Sequence, residues 1–235
     1  MFVSVEASGA VTVVRVDRPP ANAMSLELLD ELVAALEGLA ADAPAALVIA
    51  GRAGFFSAGV DLKAVPEYGP DEQARMVSAI NSMVLVTYGM SCPVIAAVTG
   101  HAIAGGLVLA LCADLRVASA DGRYGLTEIK VGVPYPQAAI GIVRAELPSH
   151  AARRLVLGNE LIDGTEALSL GLFDEVLEPG AVLPRALELA TKMAAFPAGV
   201  YAATKGELRS QPLGAIKAAV ASEPLLQSWL GADPI

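Results

Sequence analysis

From Met76 to Ala113 the chain carries no aspartate, glutamate, lysine or arginine. A charge-free run of that length belongs either in a bilayer or in the interior of a folded protein. Crossing a bilayer takes roughly 20 predominantly apolar residues without interruption. Here Asn81-Ser82, Gly89-Met-Ser-Cys-Pro93, Thr99-Gly-His101 and Gly105-Gly106 cut the run into pieces of helix or strand length. The run therefore predicts the buried centre of a soluble protein, with no membrane span. Met1-Phe-Val-Ser-Val-Glu6 has no basic stretch leading into an apolar one, so no secretory signal is expected.

Composition narrows the function classes. Hydrophobic residues make up 54% of the 235 residues and charged residues 17%, enough apolar material for one substantial core with or without a small appendage. With 16 basic and 25 acidic residues the net charge is −9, which argues against a general nucleic-acid binder. An anionic small molecule stays possible, because one local basic patch can hold it. Cys92 and Cys112 form no CxxC pair, and the chain has only two histidines. Neither a zinc site nor a disulfide framework is expected, and a reducing, cytoplasmic compartment fits.

The order of elements predicts an α/β class. Val11-Thr-Val-Val-Arg-Val16 reads as a strand, broken by Arg18-Pro-Pro-Ala-Asn22. Ser25 is placed to cap a helix running to about Leu39, with Leu28, Leu29, Leu32, Leu36 and Leu39 on one face. Residues 45–50, 93–98 and 115–119 read as buried strands, and residues 71–88 and 107–112 as helices. Gly51 to Pro70 and Gly100 to Gly106 read as glycine-rich loops. Beyond Ala138 the pattern is mostly helical, including separate helices at 200–208 and 213–230, with a short strand at 174–177. Alternation over the first part of the chain favours parallel pairing. There is no P-loop, no GxSxG elbow and no GxGxxG, so the chemistry falls to carboxylates and backbone groups.

Two glycine turns, Phe55–Lys63 and Gly100–Gly106, each follow a buried strand. Ligands of α/β proteins gather at the carboxyl ends of strands, and small residues there let a ligand approach backbone N–H donors. The same spacing is also compatible with two ordinary tight turns.

Phe56-Ser-Ala-Gly-Val-Asp-Leu-Lys63 resembles the [AF]xAGxDL[KR] segment of the crotonase superfamily, the enoyl-CoA hydratase/isomerase family. Pro93–Gly106 is similar to its KPVIAAVNGxAxGGG segment, Cys112–Ser119 to its CDxRxAS segment, and Tyr124–Gly132 to its FGxPExxxG segment. The resemblance implies a core of ββα turns wound as a spiral over residues 1–190. It also implies a C-terminal helical region, 191–235, that mediates assembly into a homotrimer or a dimer of trimers. The implied substrate is an acyl-CoA thioester, with coenzyme A as part of the substrate and no separate cofactor or metal. Carried over by position, the thioester oxygen would be held by the amides of Val60 and Gly105. Ala58, Asp61, Leu62 and Val108 would lie against the substrate, and Glu128 would be the catalytic acid–base.

Hydratases of the family divide their chemistry between two glutamates. The first position holds Val108 here and the second Glu128. One carboxylate suffices for a proton shuttle, and Gly125-Leu-Thr-Glu128 resembles the context in the family's Δ3,Δ2-enoyl-CoA isomerases. Val131-Gly-Val-Pro-Tyr-Pro-Gln137 also lacks the GxxPGxGGTQR run of hydratases. The expectation is therefore an isomerase, with a hydratase or a non-catalytic acyl-CoA-binding protein as alternatives. Asp114 is expected to make a turn or cap bond, His101 and Trp229 to be structural, and Lys63 to be a surface residue. The segment Ser222–Ile235 has no basic residue where many members carry one, which leaves Lys205 and Arg209 as candidates for the coenzyme A phosphate. Met83, Leu85 and Val86 are candidates for an acyl pocket.

Overall fold

The computed structural model describes residues 1–230. An amino-terminal hairpin, β1 (Val3–Ser8) and β2 (Val11–Val16), leads to α1 (Leu26–Ala41), whose amino terminus is capped by the Ser25 hydroxyl accepting from the Leu28 amide. Three ββα turns follow. They are β3 (Ala46–Ala50), β4 (Gly54–Ser57) and α2 (Pro70–Tyr88); β5 (Val94–Val98), β6 (Gly100–Ile103) and α3 (Gly105–Leu111); then β7 (Leu115–Ser119), β8 (Tyr124–Gly125) and α4 (Gln137–Glu146). The chain continues through α5 (Ser149–Ala152), α6 (Gly164–Ser169), β9 (Glu175–Leu177), α7 (Pro179–Ala194) and α8 (Ala198–Val220).

Each turn of the spiral gives one strand to each of two sheets. The larger has the order β1-β2-β3-β5-β7-β9, with only the β1–β2 pair antiparallel. The smaller is parallel, β4-β6-β8. β3 and β5 are buried along their whole length because α1, α2 and α3 cover one face of the large sheet and α7 the other. The charge-free run is α2 from Met76 onward, β5, β6 and α3, and it lies mostly in this core. Among the described residues no helix is long and apolar enough to cross a membrane.

Several expectations need correction. The glycine-rich segments at 51–70 and 100–106 are not wholly loop: β4 and β6 lie within them, and β1 and β8 were also unforeseen. The helices expected at 200–208 and 213–230 are largely one helix, α8, which continues through Pro212 and ends at Val220. A proline inside a helix removes a hydrogen bond and costs about 3 kcal/mol. Buried anchors on both sides of Pro212 offset this: Lys205 and Arg209 before it, and Ile216 packed against Gly141 of α4 after it. The 190/191 boundary expected between core and helical region falls inside α7, and residues 231–235 of that region lie outside the described residues.

Candidate active site

The small sheet assembles the site. β4, β6 and β8 run parallel, with Gly54 beside Gly100 and Ile103 beside Gly125, so their carboxyl ends stand together. Val60 lies three residues past the end of β4, Gly105 two past β6, and Glu128 three past β8. Ala58, Val60, Leu62, Gly105 and Glu128 line one cleft.

Two unusual backbone positions turn the amides. Gly59 has φ +79° and immediately precedes Val60; Ala104 has φ 52° and immediately precedes Gly105. Gly105 is the first residue of α3, where an N–H has no intrahelical partner. Among the described residues neither the Val60 nor the Gly105 amide donates to another backbone group. The two turns touch. A Cβ on Gly59 would lie 2.7 Å from the Ala104 Cβ and 3.0 Å from the Gly105 nitrogen. Gly59→Ala is therefore expected to lose about 2–5 kcal/mol, from the left-handed backbone plus overpacking. Denaturant unfolding measures this; a loss below about 1 kcal/mol would contradict so tight an approach.

Asn22 pins the first turn. It is fully buried, and its amide donates to the carbonyls of Val16 (2.9 Å) and Phe56 (3.1 Å) while Oδ1 accepts from the Arg18 amide (2.7 Å). The Ser57 hydroxyl donates to the Asn22 carbonyl (2.7 Å) and accepts from the Gly59 amide (3.1 Å). The second turn is tied to the third by the Ala104 amide, which donates to the Gly125 carbonyl at 2.8 Å.

Glu128 opens a single 3₁₀ turn, Glu128–Val131, that ends at Gly132, and it is 8% exposed. Burial pushes its carboxyl up to about 7, against a hydrogen bond from the Tyr135 hydroxyl that favours the charged form. That bond, Tyr135 Oη to Glu128 Oε2, is 2.6 Å long. Tyr135 lines the same cleft, as do Ile80 of α2, Ala139 of α4 and Trp229.

Other expected contacts lie elsewhere. Asp61 pairs with Arg18 at 2.8 Å, and Val108 is fully enclosed in the core, so neither lines the cleft. From α2 it is Ile80 that reaches the cleft. Met83 is fully enclosed in the core, and Leu85 and Val86 pack against it half-buried. Lys205 and Arg209 are not free for a phosphate. Lys205 Nζ meets Asp114 Oδ2 at 2.7 Å and Arg209 Nη2 meets Asp114 Oδ1 at 2.9 Å, both cations being buried and Asp114 mostly so. Asp114 does make the expected local bond, accepting from the Val94 amide at 2.7 Å, and in addition anchors α8. His101 Nδ1 accepts from the Arg123 amide and its ring packs edge-on to Phe55, a structural role. Lys63 is exposed. Trp229 is buried as expected, with its indole N–H donating to the Pro134 carbonyl at 2.9 Å, but it also faces the cleft. Ile80, Tyr135, Ala139 and Trp229 were not expected at the cleft. Ile80 and Trp229 come from distant parts of the chain, and nothing in local sequence pairs them with the Tyr135–Ala139 stretch.

The enoyl-CoA hydratase/isomerase family model matches residues 6–227. A putative enoyl-CoA hydratase of Thermus thermophilus is 37% identical over 191 residues, covering 79% of this chain and 75% of that protein. The crystal structure of the probable enoyl-CoA hydratase EchA3 of Mycobacterium tuberculosis superposes with a TM-score of 0.88 at 31% identity, covering 94% of both chains. Human mitochondrial delta3-delta2-enoyl-CoA isomerase superposes with a TM-score of 0.83 at 27% identity, covering 94% of this chain and 92% of that one. The two-sheet spiral, the paired turns and these matches lead to one conclusion: the chain belongs to the enoyl-CoA hydratase/isomerase family, whose members act on acyl-CoA thioesters.

Proposed function

We propose that this family member is a Δ3,Δ2-enoyl-CoA isomerase. The observation that carries the reading is that, among the described residues, Glu128 is the one carboxylate lining the cleft, with valine at position 108 enclosed in the core. Water addition to a 2-enoyl thioester needs an oriented water and a proton delivered to C2. Double-bond migration needs a single group that takes a proton and gives it back.

The Glu128 carboxylate removes a proton from C2 of the 3-enoyl thioester. The C–H electron pair moves into the carbonyl, and the resulting dienolate oxygen is held by the Val60 and Gly105 amides. Each such donor is worth about 3–4 kcal/mol of transition-state stabilisation. The Glu128 carboxylic acid then protonates C4, and the double bond passes from C3–C4 to C2–C3 with no atom gained or lost. A carboxyl group titrating at about 7 suits both halves of the cycle near neutral pH. Coenzyme A enters as part of the substrate, with no further cofactor. The exposed apolar side chains of Phe196, Val200 and Leu208 support the homotrimer, or dimer of trimers, that the C-terminal helical region implies.

A hydratase is the second reading, favoured by the name of the Thermus relative. Supplying a 3-enoyl-CoA and a trans-2-enoyl-CoA separately distinguishes them. The expected result is fast conversion of the first to the 2-enoyl isomer and slow hydration of the second. Hydration as fast as migration would overturn the proposal.

A further inference from the structure

The loop after Glu128 is held unusually firmly for a segment without regular structure. The Val133 amide donates to the Glu128 carbonyl at 3.0 Å, and the Pro134 carbonyl accepts from the Trp229 indole at 2.9 Å. The Gln137 amide donates to the buried Glu223 carboxylate at 2.7 Å, and the Ala138 amide to Asn81 Oδ1 at 3.0 Å. Asn81 Nδ2 in turn donates to Glu223 Oε2 at 2.9 Å. Tyr135 sits between these fixed points, and its hydroxyl meets one oxygen of Glu128 at 2.6 Å. Two prolines flank it, restricting its backbone further.

We propose that Tyr135 is a positioning residue for Glu128: by occupying Oε2 it leaves Oε1 as the oxygen that exchanges protons with the substrate, and it fixes the carboxyl plane in the cleft. The inference deepens the isomerase reading and rests on it. A carboxylate free to rotate would present either oxygen in many orientations, and proton transfer loses rate steeply with misalignment. One tethered oxygen can serve two carbon atoms of a flat dienolate from the same face. Burial and the Glu128 charge push the Tyr135 phenol far above its ordinary range, so it stays a neutral donor throughout the cycle.

Among the described residues Tyr135 and Glu128 are the only titratable groups lining the cleft. On the 3₁₀ turn of Glu128 itself, Lys130 is exposed. On the helical turn Arg153–Leu157, packed against it, Arg153 is exposed and Arg154 is tied to Glu160 and Glu166. Asp61, on the β4 turn, is occupied by Arg18.

The test is Tyr135→Phe in the full chain. Losing a donor that favours the carboxylate raises the Glu128 pKa. The ascending limb of kcat/KM for double-bond migration is therefore expected to move up by about one pH unit. On the plateau kcat is expected to fall about tenfold with KM changed less than about twofold. An unmoved limb with an unchanged plateau would overturn the proposal. Installing 3-fluorotyrosine at position 135 keeps the side chain's shape and makes it a stronger donor. It is expected to move the limb the other way; a limb that stays put would also count against the proposal. Titration of the Glu128 carboxyl carbon by ¹³C NMR in the substrate-free protein reads the same shifts. A protein without isomerase turnover would thus overturn the functional reading, while the NMR titration still decides whether Tyr135 controls Glu128.

Discussion

Glu128→Gln is expected to slow double-bond migration by about 10⁴-fold, the upper range of what a positioned acid–base contributes. Glutamine keeps the size of the side chain and an oxygen for the Tyr135 hydroxyl to donate to, but can neither take a proton from C2 nor return one to C4. Stability should change in the opposite direction. The folded protein holds the Glu128 proton up to about pH 7, whereas the unfolded chain releases it near the ordinary 4.5. Between those values the folded state binds more protons, so stability falls as pH rises across that window. The full penalty is present above about 7 and amounts to about 3 kcal/mol. At pH about 8 the variant should therefore be more stable than the parent by up to that amount, and at pH about 4 nearly equal to it. Unfolding at the two pH values measures the difference. A variant that loses activity and also loses stability at pH about 8 would mean that Glu128 is a structural group rather than a buried base.

Asp114→Ala is expected to cost about 3–5 kcal/mol. Asp114 sits between α3 and β7 and neutralises two buried cations of α8, Lys205 and Arg209. Further donors of the cations reach backbone carbonyls. Lys205 reaches the Cys92 carbonyl at 2.9 Å, Arg209 reaches the Tyr88 carbonyl at 2.9 Å, and the Arg209 guanidinium lies 4.0 Å above the Tyr88 ring. Removing the shared anion leaves two positive charges in a poorly solvated place, a larger penalty than the loss of any exposed pair. The prediction is a large drop in the urea midpoint at unchanged slope. By contrast Arg75→Ala, which breaks an exposed pair with Asp30, should change stability by less than about 1 kcal/mol. Equal effects from the two substitutions would contradict the assignment of α8's anchor.

The sequence carries the fold where burial is complete. β3 and β5 are covered on both faces, so they read as continuous apolar runs, and α1, ahead of β3, shows one apolar face. β4, β6 and β8 are short and each begins or ends on a glycine, because their ends must bring backbone amides close together. Residues chosen for close approach look like loop residues, and the small sheet was therefore invisible. β1 is an edge strand half open to solvent, which weakens its pattern. Glu128, Val60 and Gly105 could be singled out only through the motif resemblance. Tyr135 beside Glu128 could not, because position 135 departs from the family run. Trp229 meeting Pro134 across 95 residues has no local signature at all. Lys205 and Arg209 show the converse: a basic residue on a helix reads as a surface group until it is seen buried against its anion.

In the proposed isomerase Glu128, its carboxyl pKa raised to about 7 by burial, carries the proton. The most direct test of that role is kcat/KM for double-bond migration, measured from about pH 5 to about 9 in the parent and in Glu128→Gln. An ascending limb centred near 7 is expected in the parent, and activity too low to define a limb in the variant. A parent profile that is flat through neutrality, or a variant that keeps the same limb at comparable rate, would contradict that role.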